Sequence, residues 1–323
     1  MPDVALVSPI VSALVTLPFI AWMLRAQDRV PLDVPNRRSL HVRAVPRSGG
    51  IAMMTGILVG FALMQTPLVI VLPAAVLVAF SHFDDASGLP IPLRFGVQLA
   101  ATAAFAYGAL PTFGLPALAL ILLGMLWVIN LYNFMDGSDG LAGGMTVLGF
   151  SFLGAGAWVS GDVALVADCA IVAAAGAAFL LFNFPPARLF MGDAGSIPVG
   201  FLAAALSLAG WRDGDWPFWF PAVVFAPFIV DATLTLAKRL VSQERVWDAH
   251  NNHYYQRLVR MGWGHRKTAL AEYALMLACG TTALWALREP PYAQLGALIG
   301  LVALHATLAL WVDQAWRRRN QSS

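Results

Sequence analysis

Charge is scarce in this chain: 12% of its 323 residues are Asp, Glu, Lys or Arg, against 59% hydrophobic. Soluble domains run nearer a quarter charged. A water-soluble fold of this size has too little interior to hide so much apolar surface, which excludes an ordinary soluble enzyme and makes a membrane the solvent. Cysteine is scarcer still. Cys169 and Cys279 are the only two, both inside apolar runs and without metal-ligand spacing. They read as small buried hydrophobes, so neither a disulfide nor a zinc site is expected. No low-complexity tract or internal repeat interrupts the chain, and residues 1–323 read as one membrane-embedded domain. Positive charge is also missing ahead of the first apolar run. Asp3 precedes Val4–Leu24 and Arg25 follows it, the reverse of a secretory signal, so the run reads as a retained span.

What is present is a succession of apolar runs, each near the length that crosses a hydrocarbon core of about 30 Å. They fall near 4–24, 49–66, 67–82, 95–110, 114–131, 141–159, 162–183, 195–210, 217–237, 268–287 and 291–312. The expected fold is an all-α integral membrane protein, a polytopic bundle of about 10–11 transmembrane helices. With the N-terminus placed outside, all but two of the 20 lysines and arginines fall on one side of the membrane. Arg212 and Arg288 are the two exceptions. Cytoplasmic loops are enriched in Lys and Arg, so the crowded side is the cytoplasm. The N-terminus is then periplasmic and the C-terminus cytoplasmic.

The few acids gather in three separate loops or helix ends, all on that basic side. Carboxylates at a membrane boundary are costly unless they meet cations or water, so they default to function. Asp84 and Asp85 follow the third span, and adjacent acids suit magnesium, a hard cation that bridges carboxylates and substrate phosphates. Such a pair also caps helices, so alone it does not decide. Asn130-x-x-Asn133-x-x-Asp136-Gly-x-Asp139-Gly follows the fifth span. Its two amides share a helix face, and its glycines let backbone amides approach an anion. Phe190-Met-Gly-Asp193-Ala-Gly-Ser196 precedes the eighth span, where a helix start favours anions; an ordinary helix cap is the competing reading. His250 and His253 lie three apart in a long basic loop, where no thiolate or third histidine completes a zinc site. Opposite phosphates is the better fit for them, with a solvated polar helix as the alternative. Five carboxylates with little nearby base repel one another, and a divalent cation with a phosphate-bearing substrate resolves that conflict.

Taken together, these runs resemble the polyprenyl-phosphate N-acetylhexosamine-1-phosphate transferases, in order and spacing, from about residue 35 to residue 265. The first loop, Asp33-Val-Pro35 through His41 to Arg47-Ser-Gly49-Gly50, looks like the family's first cytoplasmic loop. The resemblance implies a bacterial inner-membrane enzyme with its active site facing the cytoplasm. It implies a magnesium ion, with manganese as the alternative, held by Asn133 and Asp193. Asp84 is implied to deprotonate or orient the lipid phosphate with Asp85 beside it, and Arg94 to meet that phosphate. Asn130, Asp136, Asp139, Phe190 and His41 are implied to bind substrate, Phe190 by stacking on uracil. His250 and His253 are implied to face the diphosphate. The implied partners are a UDP-N-acetylhexosamine, undecaprenyl phosphate and membrane lipid, with no nucleic acid; a homodimer is left open. Asn252 stands where the common-antigen branch usually has histidine, so the loop looks more like the O-antigen-initiating branch. A peptidoglycan-type phospho-muramoyl-pentapeptide transferase is the alternative within the family. A cation-coupled transporter is the alternative outside it, although carrier sites sit near the midplane between repeated halves.

Overall fold

The structure is a computed structural model, and it describes residues 2–26, 31–35, 40, 44–110, 112–245 and 250–321. Arg29, Arg37, Arg38, His41, Arg43 and Asp248 lie outside the described residues. The chain is an all-α polytopic membrane protein. Among the described residues, eight helices are long and apolar enough to cross a membrane.

In chain order the helices are α1 (Pro2–Arg25), α2 (Gly49–Met64), α3 (Leu68–Ser87), α4 (Ile91–Ala109), α5 (Leu115–Phe134), α6 (Leu141–Ser160), α7 (Val163–Asn183) and α8 (Asp193–Asp213). There follow α9 (Trp219–Val224), α10 (Ala226–Val241), α11 (Tyr254–Leu258), α12 (Gly264–Ala286) and α13 (Pro291–Gln321). A two-residue ribbon, β1 (Leu32–Asp33) paired antiparallel with β2 (Val45–Pro46), ties the first loop.

The boundaries have local causes. Asp3 in the first turn and Arg25 in the last turn of α1 both complement its dipole. The α2–α3 turn is only Gln65-Thr66-Pro67, with Gln65 left-handed at φ 56° and Pro67 as the cap of α3. Gly88, at φ 65°, closes α3 by returning its N–H to the Asp84 carbonyl at 2.8 Å. That leaves Asp84 and Asp85 in the last turn of a span, one short turn ahead of Arg94.

The run read as a single span over 217–237 is two helices. Phe225 separates α9 from α10, because Pro227 has no N–H to donate and its ring clashes with the carbonyl four residues back. The long basic loop after α10 is also shorter than expected. Helix resumes at Tyr254 in α11, and a kink at Gly262, with φ 98°, separates it from α12.

α8 is the axis of the bundle, buried along nearly its whole length and packed by α2, α3 and α5. Its Ala, Gly and Ser positions let those neighbours approach closely, as small residues do between membrane helices. Gly195 meets Gly50 of α2 so closely that a Cβ added to Gly50 would lie 2.3 Å from the Gly195 Cα. This crossing fixes the start of α8 beside the first loop.

Candidate active site

The start of α8 is where the polar residues converge. Phe190 donates its N–H to the Pro46 carbonyl at 2.8 Å, and Gly49 and Gly50 donate theirs to Phe190 and Met191, both at 2.9 Å. The first loop is thereby laced to the chain entering α8. Gly192 sits at φ 70°, and a Cβ there would lie 2.6 Å from the Arg47 carbonyl oxygen, so only glycine fits. The Arg47 side chain consequently reaches the acids. Its Nη2 lies 2.8 Å from Asp85 Oδ1 and 3.0 Å from Asp193 Oδ1.

Asp193 is the hub. Its Oδ1 also accepts from Asn133 Nδ2 at 3.1 Å, and Asn133 makes a second bond to Ser196 Oγ at 3.1 Å. Arg94 Nη1 stands 3.9 Å from Asp193 Oδ2, while its Nε pairs with Asp84 Oδ2 at 2.8 Å. Asp85 Oδ2 accepts the Ala194 N–H at 3.3 Å, so the positive end of α8 draws in this carboxylate too. Asp85 Oδ1 is buried and meets Arg47 as a charge contact without a hydrogen bond. Asp136 accepts from the Gly192 N–H, yet its pKa is pushed well above the carboxylate range. Burial is the main cause and Asp193 the next; Arg47 pulls the other way and Asp85 adds to the rise. Asp84, Asp85 and Asp193 thus outnumber Arg47 and Arg94 by one charge, and Asp136, biased by burial toward its protonated form, adds a carboxyl oxygen.

That surplus, with donors that are all oxygen, suits a hard divalent cation. Among the described residues no three His, Cys, Asp or Glu side chains stand close enough to cage a metal. Magnesium needs no such cage, because it keeps several waters and takes one or two carboxylates plus substrate phosphate. Asp193 with Asp85 or the Asn133 amide oxygen fits that description. Asn133 presents its nitrogen to Asp193 here, so ligation through oxygen requires the amide to turn over, a choice the hydrogen-bond network sets.

The other residues singled out in the sequence lie around this group. Asn130 bonds Gln98 Oε1 at 2.9 Å and so braces α5 against α4. Asp139 is engaged elsewhere: it accepts the Ala187 N–H at 2.9 Å and lies 3.5 Å from His265 Nδ1. His265 also meets Ser138 Oγ at 2.9 Å and the Leu40 carbonyl at 3.2 Å, joining two loops to the start of α12. Phe190 has a half-buried ring. His250 and His253 stack with centroids 4.8 Å apart. The His253 ring is 6.1 Å from Phe134, and Tyr255 donates its hydroxyl to the Phe134 carbonyl at 3.0 Å, docking this loop on the end of α5. His250 is pushed down to about 4, by burial first and then by His253 and Arg239.

Sequence reading missed Asp231, Arg47 and His265 as site residues. Asp231 lies in α10 and accepts from His253 Nδ1 at 3.1 Å and from the Tyr254 and Tyr255 N–H groups at 3.0 and 2.9 Å. The signal was available: a lone acid in the apolar run Ala226–Ala232.

Residues 67–211, which carry α3, α5 and the start of α8, match the model of glycosyl transferase family 4. The chain is similar to a probable undecaprenyl-phosphate N-acetylglucosaminyl 1-phosphate transferase of Bacillus subtilis (strain 168), at 28% identity over 76% of this chain and 74% of that protein. It is similar to the decaprenyl-phosphate N-acetylglucosaminephosphotransferase of Mycobacterium tuberculosis (strain CDC 1551 / Oshkosh), at 30% identity over 74% and 71%. A phospho-N-acetylmuramoyl-pentapeptide-transferase of Staphylococcus aureus (strain JH9) is 30% identical over 48% of this chain and 47% of that protein.

Proposed function

We propose, from the premise that this chain belongs to glycosyl transferase family 4 and is a membrane-embedded sugar-phosphate transferase, that it moves N-acetylhexosamine-1-phosphate from a UDP-sugar to undecaprenyl phosphate. The products are undecaprenyl-diphospho-N-acetylhexosamine and UMP, and the reaction starts an O-antigen or related surface glycan at the inner membrane. The observation that carries this reading is the meeting of Asp193, Asn133, Asp85 and Arg47 at the start of α8. Two of the similar proteins bear N-acetylglucosamine in their names, which makes that sugar the first to try. The peptidoglycan-type relative aligns over only about half of each chain.

The lipid phosphate is already anionic, so the protein's work in phosphoryl transfer is placement and charge neutralisation. An oxygen of the lipid phosphate bonds to the sugar-bearing phosphorus. The bond from that phosphorus to the bridging oxygen breaks, and UMP leaves with the electron pair. Magnesium, when bound at Asp193 with Asp85 or Asn133, supplies Lewis-acid polarisation and a template for the diphosphate. Arg94 and Arg47 present guanidinium donors to phosphate oxygens, a geometry suited to bidentate contact. Asp84 holds Arg94 in place. An apolar groove of about 350 Å³ runs along α5 at Gly124, Trp127 and Val128, opposite Ala204, Phe218 and Phe225. It lies just ahead of Asn130 on the same helix and suits the polyprenyl chain.

The test is purified protein in detergent with undecaprenyl phosphate, a panel of labelled UDP-sugars and magnesium. UMP release should require lipid and magnesium together. Asp193→Asn should lose roughly 10²-fold or more, the scale seen when one charge-stabilising group is removed. Turnover only with the muramoyl-pentapeptide nucleotide would move the chain to the peptidoglycan branch. Absence of any lipid-linked product would overturn the transferase reading.

A further inference from the structure

A second polar cavity, of about 500 Å³, lies apart from the carboxylate cluster, between the C-terminal ends of α10 and α13 and against α11. Lys238, Arg239, Arg257 and Arg317 line it, against the acids Glu244 and Asp313. The lining therefore keeps a surplus of two positive charges. Asp313 is shared between Lys238 and Arg257, with Arg257 Nη1 at 2.9 Å. Arg257 is held in place by the rings of Tyr254 at 5.3 Å and Trp316 at 6.0 Å. Its Nε is nonetheless buried without a hydrogen-bond partner. The basic side chains on the lining, two positive charges in excess of the acids, offer an anion in the cavity charge-assisted hydrogen bonds.

The rim identifies the source of that anion. Val241 lines the cavity and is 85% exposed, and its neighbour Leu240 is 67% exposed. Both stand at the end of a helix whose other face is in the bundle. Trp316, also on the lining, is the kind of amphipathic ring that settles at the headgroup level. A cavity with basic walls, an aromatic ring and an apolar rim matches a lipid headgroup with its chains beside it.

We propose that this cavity binds the phosphate of an anionic phospholipid distinct from the lipid substrate. Binding there bears on the active site, because the backbone N–H of Arg257 donates to the His253 carbonyl at 2.9 Å and His253 caps α11. Fixing the Arg257 guanidinium steadies that turn and the stacked histidines. The binding itself does not rest on the proposed transfer reaction.

The experiment is native mass spectrometry of the delipidated full-length protein in detergent, titrated with phosphatidylglycerol, phosphatidylcholine, inorganic phosphate or UMP. Phosphatidylglycerol should be retained in preference to phosphatidylcholine. Arg257→Gln and Arg317→Gln should each weaken that retention about fivefold, the scale for one surface charge near an anionic lipid. Arg288→Gln, which removes an exposed charge beyond α12, should not. Arg317 is exposed, so its variant keeps the test decisive if Arg257→Gln fails to fold. Equal retention of the two lipids, or unchanged retention in both cavity variants, overturns the proposal. Displacement by inorganic phosphate at equal concentration assigns the cavity to a soluble anion and overturns it as well. Displacement by UMP assigns the cavity to the nucleotide and does the same.

Discussion

Asp84 gives both carboxylate oxygens to the protein, one to the Leu89 N–H at 2.6 Å and one to Arg94 Nε at 2.8 Å, and its side chain is 2% exposed. Each oxygen keeps a second lone pair, but burial and the pairing with Arg94 already engage this carboxylate, and we propose that Asp84 acts by positioning Arg94. Asp84→Asn and Arg94→Gln should therefore each slow turnover by roughly 10²-fold, within the range for a group that assists proton or charge transfer. The double variant should be no slower than the worse single one, because residues acting as a unit are not additive. Multiplying losses, or a loss in Asp84→Asn that vanishes at high pH, would restore Asp84 as a base. His250 allows a second residue-level prediction. Burial first, then His253 and Arg239, push its pKa down to about 4 from an ordinary histidine value of about 6.5. The unfolded chain takes up a proton near 6.5 that the folded chain refuses until about 4. The stability His250 contributes is thus fully present above about 6.5 and is lost as pH falls toward 4. Melting temperature should fall across that window, and less steeply in His250→Gln. Equal slopes in the two proteins would remove His250 as the cause.

At the scale of elements, the crossing of α2 and α8 sets the distance between Arg47 and Asp193. A Cβ on Gly195 would lie 2.6 Å from the Gly50 Cα and 2.4 Å from Met191 Cγ. Backbone must shift to admit it, at about 1–3 kcal/mol for overpacking. Gly195→Ala should lower the melting temperature by several degrees. It should also cut turnover by about 10²-fold, the scale for a misplacement of about 1 Å. Gly96→Ala in α4, where a Cβ meets nothing within 4 Å, should leave both unchanged; equal effects at the two sites would show that the crossing is not what matters. The same crossing explains what the sequence reveals. Asp84, Asp85, Asn133 and Asp193 stand out as polar residues at the ends of apolar runs, and the helices bring all four together. Arg47 does not stand out, because its neighbours include several arginines and its partner is 146 residues away. Such a pairing belongs to tertiary packing and has no local period. The break at Phe225 is hidden likewise: Pro221 and Pro227 lie inside a run whose hydropathy reads as one span. The β1–β2 ribbon is too short to leave an alternation. Asp139 was legible as a polar residue in the right motif, but its pairing with His265 across the chain was not.

The whole molecule has two unlike ends. The carboxylate cluster, Arg25 of α1, Lys238 and Arg239 of α10 and Arg317–Arg319 of α13 stand at one end of their helices, while Arg212 closes α8 and Arg288 follows α12 at the other. Cytoplasmic ends carry the excess of Lys and Arg, so the catalytic end should face the cytoplasm, where nucleotide sugars are. Site-directed thiol labelling checks this without a structure. Cys169 and Cys279 are both buried, so the native protein should label little with a membrane-impermeant maleimide. Arg288→Cys, on an exposed turn before α13, should label in intact spheroplasts. Asn320→Cys, exposed near the far end of α13, should label only after the membrane is opened. The reversed pattern would turn the Asp193 cluster outward, away from any cytoplasmic nucleotide sugar, and would count against the proposed donor even if the lipid acceptor were right. Labelling of both variants in intact cells would mean that α13 does not cross the membrane, which its 31 residues and a mean hydropathy of 2.1 over an 18-residue stretch of it argue against.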